Sequence, residues 1–443
     1  MIAKLVDWGD SFTFQFTQEE NDFLLDSNHI ILAQNTATFK IANCCSETHP
    51  DLIALSAILL VYPFIKSEIK VPFGVSQQFA TLFNKVTKKN ITPVDKNLAP
   101  RTIEENGIPS LCYSAGVDST AALMLMPGNT KLFFCDRVMH ENTRSMYNKF
   151  AAINTVLDLK RCGYDMNIVA TDFEYIRSKV GFPTDLATAV PALMCADQFN
   201  IDSVAFGIPI EVGYRLGHSA FENYKDRLHY KRWGALFSAV GCQLYLPTVG
   251  VSEVGNFIIA SNFKDSNTVR SCMRGDQASP CGKCLKCFRK TLISAAIANG
   301  EINEAEIISN LNSSEVIRTI ASRNIKLENV YRYILKKADA PILKPLLDYI
   351  EDPEEDILWM EKWYSPSICF IPEKYRGEHI EKVLKYLDIT SDEDNKYIES
   401  WVKYSVKNNS SRFNDWVVHY ISMLDDEKLI NMLHRSLNSD VAM

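Results

Sequence analysis

Apolar and polar residues alternate along Ser11–Phe16 (SFTFQF) and again along Thr36–Ala42 (TATFKIA), the period of a strand with one buried face. Helical spacing follows over Asp51–Ile65 and Ser76–Val86, and Pro93 and Pro100 mark Asn90–Arg101 as a linker. Residues 1–100 are thus expected to form a small α+β domain of their own. From Pro109 to Gly300 the pattern changes to short apolar runs alternating with helical stretches. Strands are expected at Ser110–Tyr113, Thr130–Cys135, Asn167–Ala170, Ser203–Phe206 and Gln243–Leu246, with helices at Ser119–Met126, Arg144–Cys162 and Ala187–Asn200. That alternation predicts an α/β domain over residues 101–300, a parallel sheet sandwiched by helices. Beyond Gly300 helical periodicity dominates, interrupted at Pro341, Pro345, Pro353, Pro366 and Pro372, and residues 301–443 read as a helical domain.

Composition narrows the function classes. An apolar fraction of 47% and a charged fraction of 23% are those of an ordinary globular chain. A net charge of -7 argues against a general electrostatic grip on nucleic acid, which requires basic surface to displace counterions. The most hydrophobic run, Leu52–Ile65, is too short to span a bilayer, so a cytoplasmic location without membrane contact is expected.

Cysteines are numerous, but Cys112, Cys135, Cys195 and Cys242 stand singly in apolar stretches and read as small buried hydrophobes. Cys44 and Cys45 are adjacent, without a second pair nearby. Cys272, Cys281, Cys284 and Cys287 are different, because the run CGKCLKC places three thiols at metal-ligand spacing and Cys272 supplies a fourth. Four thiolates suit tetrahedral zinc and leave no open coordination position, so the metal is expected to be structural, with an iron–sulfur cluster as the competing occupant. Arg274, Lys283, Lys286, Arg289 and Lys290 surround the cluster, where they would offset its charge or face an acidic ligand.

The segment Ile108–Leu123 (IPSLCYSAGVDSTAAL) passes from a buried strand through a small-residue turn into a helix. Such a turn aims amide groups and the positive end of the helix dipole at one point, which suits an anion. Ala115, Gly116 and Val117 carry the turn, Ser114, Ser119 and Thr120 offer hydroxyls, and Asp118 is placed to orient the loop or bind magnesium. No lysine lies in the turn, so it is not a Walker loop; on its own it reads equally as an ordinary strand–turn–helix.

The run YSAGVDST resembles the SGGxDS loop of the ATP pyrophosphatase superfamily, with Ala115 where that pattern has its first glycine. Together with the downstream SC and CGxCxxC cysteines, it is similar to the 7-cyano-7-deazaguanine synthase branch, over Pro109–Ile297 and over neither flank. The resemblance implies an adenine nucleotide alpha-hydrolase-like fold of the HUP type. It also implies ATP and magnesium as cofactors besides zinc, and a reaction in which a carboxylate such as 7-carboxy-7-deazaguanine is adenylated and converted to an amide or nitrile. Asp118 and Ser119 are then the candidate catalytic residues, with Ser114 through Thr120, Asp136 and Gly207 around the nucleotide. Asp136 and Gly207 qualify because each closes an expected strand, where open parallel sheets gather ligands, and each reads equally well as a turn residue.

Partners implied are a small-molecule carboxylate with an amine donor or protein acceptor; a homodimer is allowed. Enlarged relatives of this kind occur in bacterial antiphage defence, where the acceptor is a protein or nucleic acid. After Asp136 the branch has tyrosine, glycine and glutamine, whereas this chain has Arg137, Val138 and Met139, then His140 and Glu141. An altered acceptor pocket is sought in Ile208–Trp233, with Glu211, Arg215, His218, Glu222, Lys231 and Arg232 as candidates, each weighed against a surface role. No histidine has metal-ligand spacing with another, and none is assigned as a catalyst. A tRNA- or DNA-modifying or sulfur-transfer enzyme and a non-catalytic ATP-binding scaffold stay open as other readings.

Overall fold

The computed structural model describes the chain except residues 24–29, 43–46, 104, 140–147, 265–271, 273, 276–279, 299, 301–302, 339, 351–355, 404–409 and 439–443. Cys44, Cys45, His140 and Glu141 lie outside the described residues.

A large, mostly parallel sheet flanked by helices organises the fold. Its strands are β1 (Ile2–Asp7), β2 (Phe12–Thr17), β3 (Thr36–Lys40), β4 (Glu68–Ser76), β5 (Asn90–Asp95), β6 (Ile108–Cys112), β7 (Lys131–Arg137), β8 (Met166–Thr171), β9 (Ile201–Ala205) and β10 (Gln243–Tyr245). The ten lie in the order β10-β9-β6-β7-β8-β3-β2-β1-β4-β5. β10, β9, β6, β7 and β8 are mutually parallel. β3 pairs antiparallel with β8 through Phe39 and Thr171, and the N-terminal strands continue the sheet from there. Strands from residues 1–100 and from residues 101–300 thus belong to one ten-stranded sheet.

Period-two alternation decides what each face meets. Cys112, Phe133, Val169 and Val204 point to one face and join the core with Phe12, Phe14 and Phe16. That face is covered by α1 (Pro50–Val61), α2 (Gln77–Thr87), α5 (Val190–Met194) and α7 (Leu228–Ala239). Leu111, Leu132, Phe134 and Ala205 point the other way, toward α3 (Val117–Leu125) and α4 (Lys149–Arg161). α1 is apolar all round because the sheet lies on one side and α5 on the other; every residue from Asp51 to Val61 is buried. No helix among the described residues is long and apolar enough to cross a membrane.

Two local readings of the sequence are corrected. Asn90–Arg101 is not a plain linker, since β5 occupies Asn90–Asp95; it sits at the sheet edge and pairs only with β4, where a proline without an N–H is tolerated. The helix expected over Ala187–Asn200 is confined to a 3-10 turn at Ala187–Ala189 and α5, and it ends before Asn200, which adopts a left-handed conformation (φ 50°).

After α6 (Ile210–Gly213) and α7 come α8 (Glu253–Ser261) and α9 (Leu285–Ile297). The C-terminal helices are α10 (Glu304–Leu311), α11 (Ser314–Ile320), α12 (Glu328–Lys337), α13 (Lys344–Ile350), α14 (Arg376–Val383), α15 (Asp392–Ser400), α16 (Ser410–Ser422) and α17 (Glu427–Asn438). They are not one uniform bundle. α12, α13, α16 and α17 pack in succession from α9 outward. The intervening stretch instead lies on the sheet domain, where Trp363, Val383 and Leu387 share a cluster with Ala121 and Leu125 of α3. Lys382 Nζ caps the C-terminal end of α3 by donating to the Met126 carbonyl.

Candidate functional site

β6 continues to β7 on one side, while β9 flanks it on the other, so a crevice opens beyond the carboxyl ends of β6 and β9. A cavity of about 320 Å³ lies there. It is lined by Cys112 and Cys135, by Ser114, Gly116, Val117, Asp118 and Ser119 of the turn, by Arg137, Phe182 and Asp185, and by Gly207, Cys272 and Lys286 from later in the chain.

The turn owes its shape to two features. Ala115 is fully buried with φ 61°, a left-handed conformation that costs an alanine roughly 1–2 kcal/mol and a glycine almost nothing. The Ser119 hydroxyl sits at its centre, accepting from the Ser114 and Gly116 N–H groups (both 3.2 Å) and lying 3.1 Å from the Gly116 carbonyl. The loop is pre-shaped by its own side chain, and the N-terminus of α3 faces the cavity.

The expected site residues divide accordingly. Ser114, Gly116, Val117, Asp118, Ser119 and Gly207 line the cavity, and Ala115 acts behind them through its backbone. Thr120 is fully buried, its hydroxyl bonded to the Gly116 carbonyl (2.9 Å) and the Tyr113 hydroxyl (3.1 Å), so it braces the turn rather than facing a ligand. From β7 the lining residues are Phe133, Phe134, Cys135 and Arg137; Asp136 is not among them. Gly207 is required for space, because a Cβ there would lie 2.5 Å from the Asp118 carbonyl carbon and oxygen and 2.7 Å from the Ser119 nitrogen.

None of the six candidates in Ile208–Trp233 lines the cavity, to which that segment gives Ile208 and Val212. Arg215 pairs with Glu222 (3.2 Å), Lys231 with Asp226 (3.3 Å), and Arg232 lies over the Tyr62 ring. Glu211 is fully buried, accepting from the Glu253 N–H and from Asn329 Nδ2, and burial with the nearby Glu253 charge pushes its carboxyl up to about 8.

Asp118 is the centre of a charged cluster that sequence reasoning had only in part. Asn256 Nδ2 of α8 donates to its Oδ1 at 3.0 Å. Burial, then the Glu253 charge, raise its carboxyl above the ordinary range, opposed by Lys290 and Lys286 of α9. Arg289 Nε holds Glu253 at 2.7 Å. The basic residues were visible beside the cysteines; Glu253 and Asn256 carry no motif and become legible only when α8 packs against α3.

Cys272, Cys281, Cys284 and Cys287 bring their sulfurs within 4.8 Å of one another. Sulfur–sulfur distances of 3.5 Å for Cys284–Cys287 and 3.9 Å for Cys272–Cys284 and Cys281–Cys287 match the edge of about 3.8 Å that a ~2.3 Å metal–sulfur bond gives a tetrahedron. Backbone N–H groups of Arg274, Gly275 and Cys281 point at the Cys272 sulfur, as suits a thiolate. The set can hold one metal ion such as zinc. Cys284 also N-caps α9, accepting from the Cys287 N–H, so the cluster anchors the helix that carries Lys286, Arg289 and Lys290.

Residues 232–402 match a family of unknown function, DUF6395. The match takes in α8, the cysteines, α9 and the segment lying on α3, but not the Ser114–Thr120 turn, and its description names no activity. No curated protein matches the chain.

Three outcomes are expected. Gly207→Ala forces the Asp118–Ser119 backbone aside and lowers unfolding free energy by about 1–3 kcal/mol in denaturant titration. Cys284→Ser reduces bound metal in elemental analysis and lowers the thermal midpoint; unchanged metal content and midpoint refute a structural metal. Glu211, raised when folded, favours the native state fully below its ordinary range, and that contribution is lost as pH climbs through about 8. Glu211→Gln therefore flattens the decline of stability between about pH 5 and 9, seen in urea unfolding across that window.

Proposed function

We propose that this chain is an ATP-dependent enzyme that adenylates a carboxylate, 7-carboxy-7-deazaguanine or a similar acid, releases pyrophosphate, and passes the acyl group to an amine to form an amide, which, where the amine is ammonia, a second adenylation dehydrates to a nitrile. The observation that carries this reading is the left-handed turn at Ala115 leading into α3 beside a cavity at the sheet's switch point, with the cysteine cluster and Lys286 on the same rim. The order β8-β7-β6-β9-β10 agrees with an adenine nucleotide alpha-hydrolase-like sheet of the HUP type. The four clustered cysteines supply the thiol set that the deazaguanine-synthase resemblance assigns to zinc, and such thiols suit a reducing, cytoplasmic setting.

In this reading the substrate carboxylate oxygen bonds to the α-phosphorus as the α–β bridge breaks, and the pyrophosphate charge grows against the amide end of α3. Ser114 Oγ and the Asp118 oxygen not bonded to Asn256 are the groups that would hold magnesium, an oxygen-seeking ion whose role is to neutralise the departing pyrophosphate. Arg137, 4.9 Å over the Phe182 ring and 3.2 Å from Glu174, and Asp185, 2.8 Å from His229 Nε2, present polar groups for the acid and acceptor. The amine nitrogen then bonds to the acyl carbon, the carbon–oxygen bond to AMP breaks, and the amine gives up a proton.

Sulfur transfer ranks second because Cys112 and Cys135 both line the cavity. Burial pushes both thiols up, Cys135 to about 12, and both face the Thr188 carbonyl, so neither is the thiolate such chemistry requires. For the adenylation reading, Asp118→Ala is expected to cut AMP and pyrophosphate release by about 100-fold or more with the thermal midpoint retained, measured with ATP, magnesium and a panel of carboxylates that includes 7-carboxy-7-deazaguanine. Nucleotide binding without any AMP release across the panel would instead favour a non-catalytic ATP-binding scaffold.

A further inference from the structure

The charges around Asp118 do not balance. Asp118 and Glu253 face Lys286, Arg289 and Lys290. Arg289 is committed to Glu253 at 2.7 Å, and Asp118 already accepts from Asn256. Lys290 is half-buried; the Phe257 ring lies 6.0 Å from its ammonium, and among the described residues no acceptor hydrogen-bonds it. Partial burial pushes Lys290 down to about 8 against the pull of Asp118 and Glu253. Lys286, exposed and one helical turn earlier on the same face of α9, lines the cavity beside the Ser114–Ser119 turn, whereas Lys290 is not among the lining residues.

We infer that Lys286 and Lys290 form a second, cationic wall of the site, receiving the outer phosphates of a triphosphate whose tail lies against the N-terminus of α3. This rests on the nucleotide reading above. It gives the turn the lysines that its own sequence lacks, supplied from a helix far along the chain. It also gives the cysteine cluster a task beyond local stability, because α9 starts at Cys284 and the direction of that helix sets where both ammonium groups lie.

The test is calorimetric titration of the full chain with ATP, inorganic pyrophosphate and AMP. Lys286→Met and Lys290→Met are each expected to weaken ATP and pyrophosphate by about tenfold or more while changing AMP by less than about twofold, with Lys290→Arg restoring most of the loss. A wild-type chain that binds neither ATP nor pyrophosphate overturns the nucleotide reading and this inference with it. Wild-type binding that the Lys286→Met, Lys290→Met double variant retains overturns the inference alone. Should a variant lose its fold, amide exchange on the unsubstituted chain decides: pyrophosphate is expected to slow exchange across Leu285–Ile297 as well as at the turn, and protection confined to the turn overturns the assignment.

Discussion

The site depends on one close approach: the chain leaving β9 runs against the Asp118–Ser119 peptide with no room for even a methyl group between them. Strand ends on either side of a switch point splay apart, and what fills the gap decides whether a crevice or a packed seam results. At Gly207 backbone meets backbone, so the start of α3 is held from outside while Ser119 holds it from within. A turn fixed on both sides presents its amides without first having to be ordered, which is what an anion site requires.

From that contact the rest of the assembly follows outward. α8 packs beside α3 and brings Asn256 to Asp118; α9 packs beside α8 and brings the basic residues; the cysteines set where α9 begins. Glu253, at the first position of α8, is shared between Arg289 and the buried Glu211, tying α6, α8 and α9 into one polar junction, and Asn329 adds α12 to it. The helices after residue 300 are thereby joined to this junction through α12.

How much of this was legible depended on the range of the signal. The five parallel strands were readable because both their faces are buried, leaving short apolar runs bounded by turns. β1 and β4 were not, since β1 mixes Lys4 and Asp7 with its apolar residues and β4 is broken by Pro72 and Gly74, with a register shift between Lys70 and Val75. The loop and the cysteines were legible as local motifs. Their meeting at one cavity was not, nor were Asn256 and Glu253, because those contacts span separations that no periodicity encodes. Thr120 shows what a motif position leaves out: its place suggested a ligand group, and the burial of its hydroxyl against the Gly116 carbonyl emerges only in the folded turn.

The pairing of β3 with β8 bears on how the protein can be dissected. An excised fragment starting near residue 101 would carry the complete turn and cysteine cluster, yet it would leave the margin of β8 without its neighbour and strip α5 of the buried, largely apolar α1. Bare strand margins invite other chains to add on, and a greasy helix face does the same. Self-association of such a fragment would therefore report the lost neighbour and not the native assembly of the intact chain.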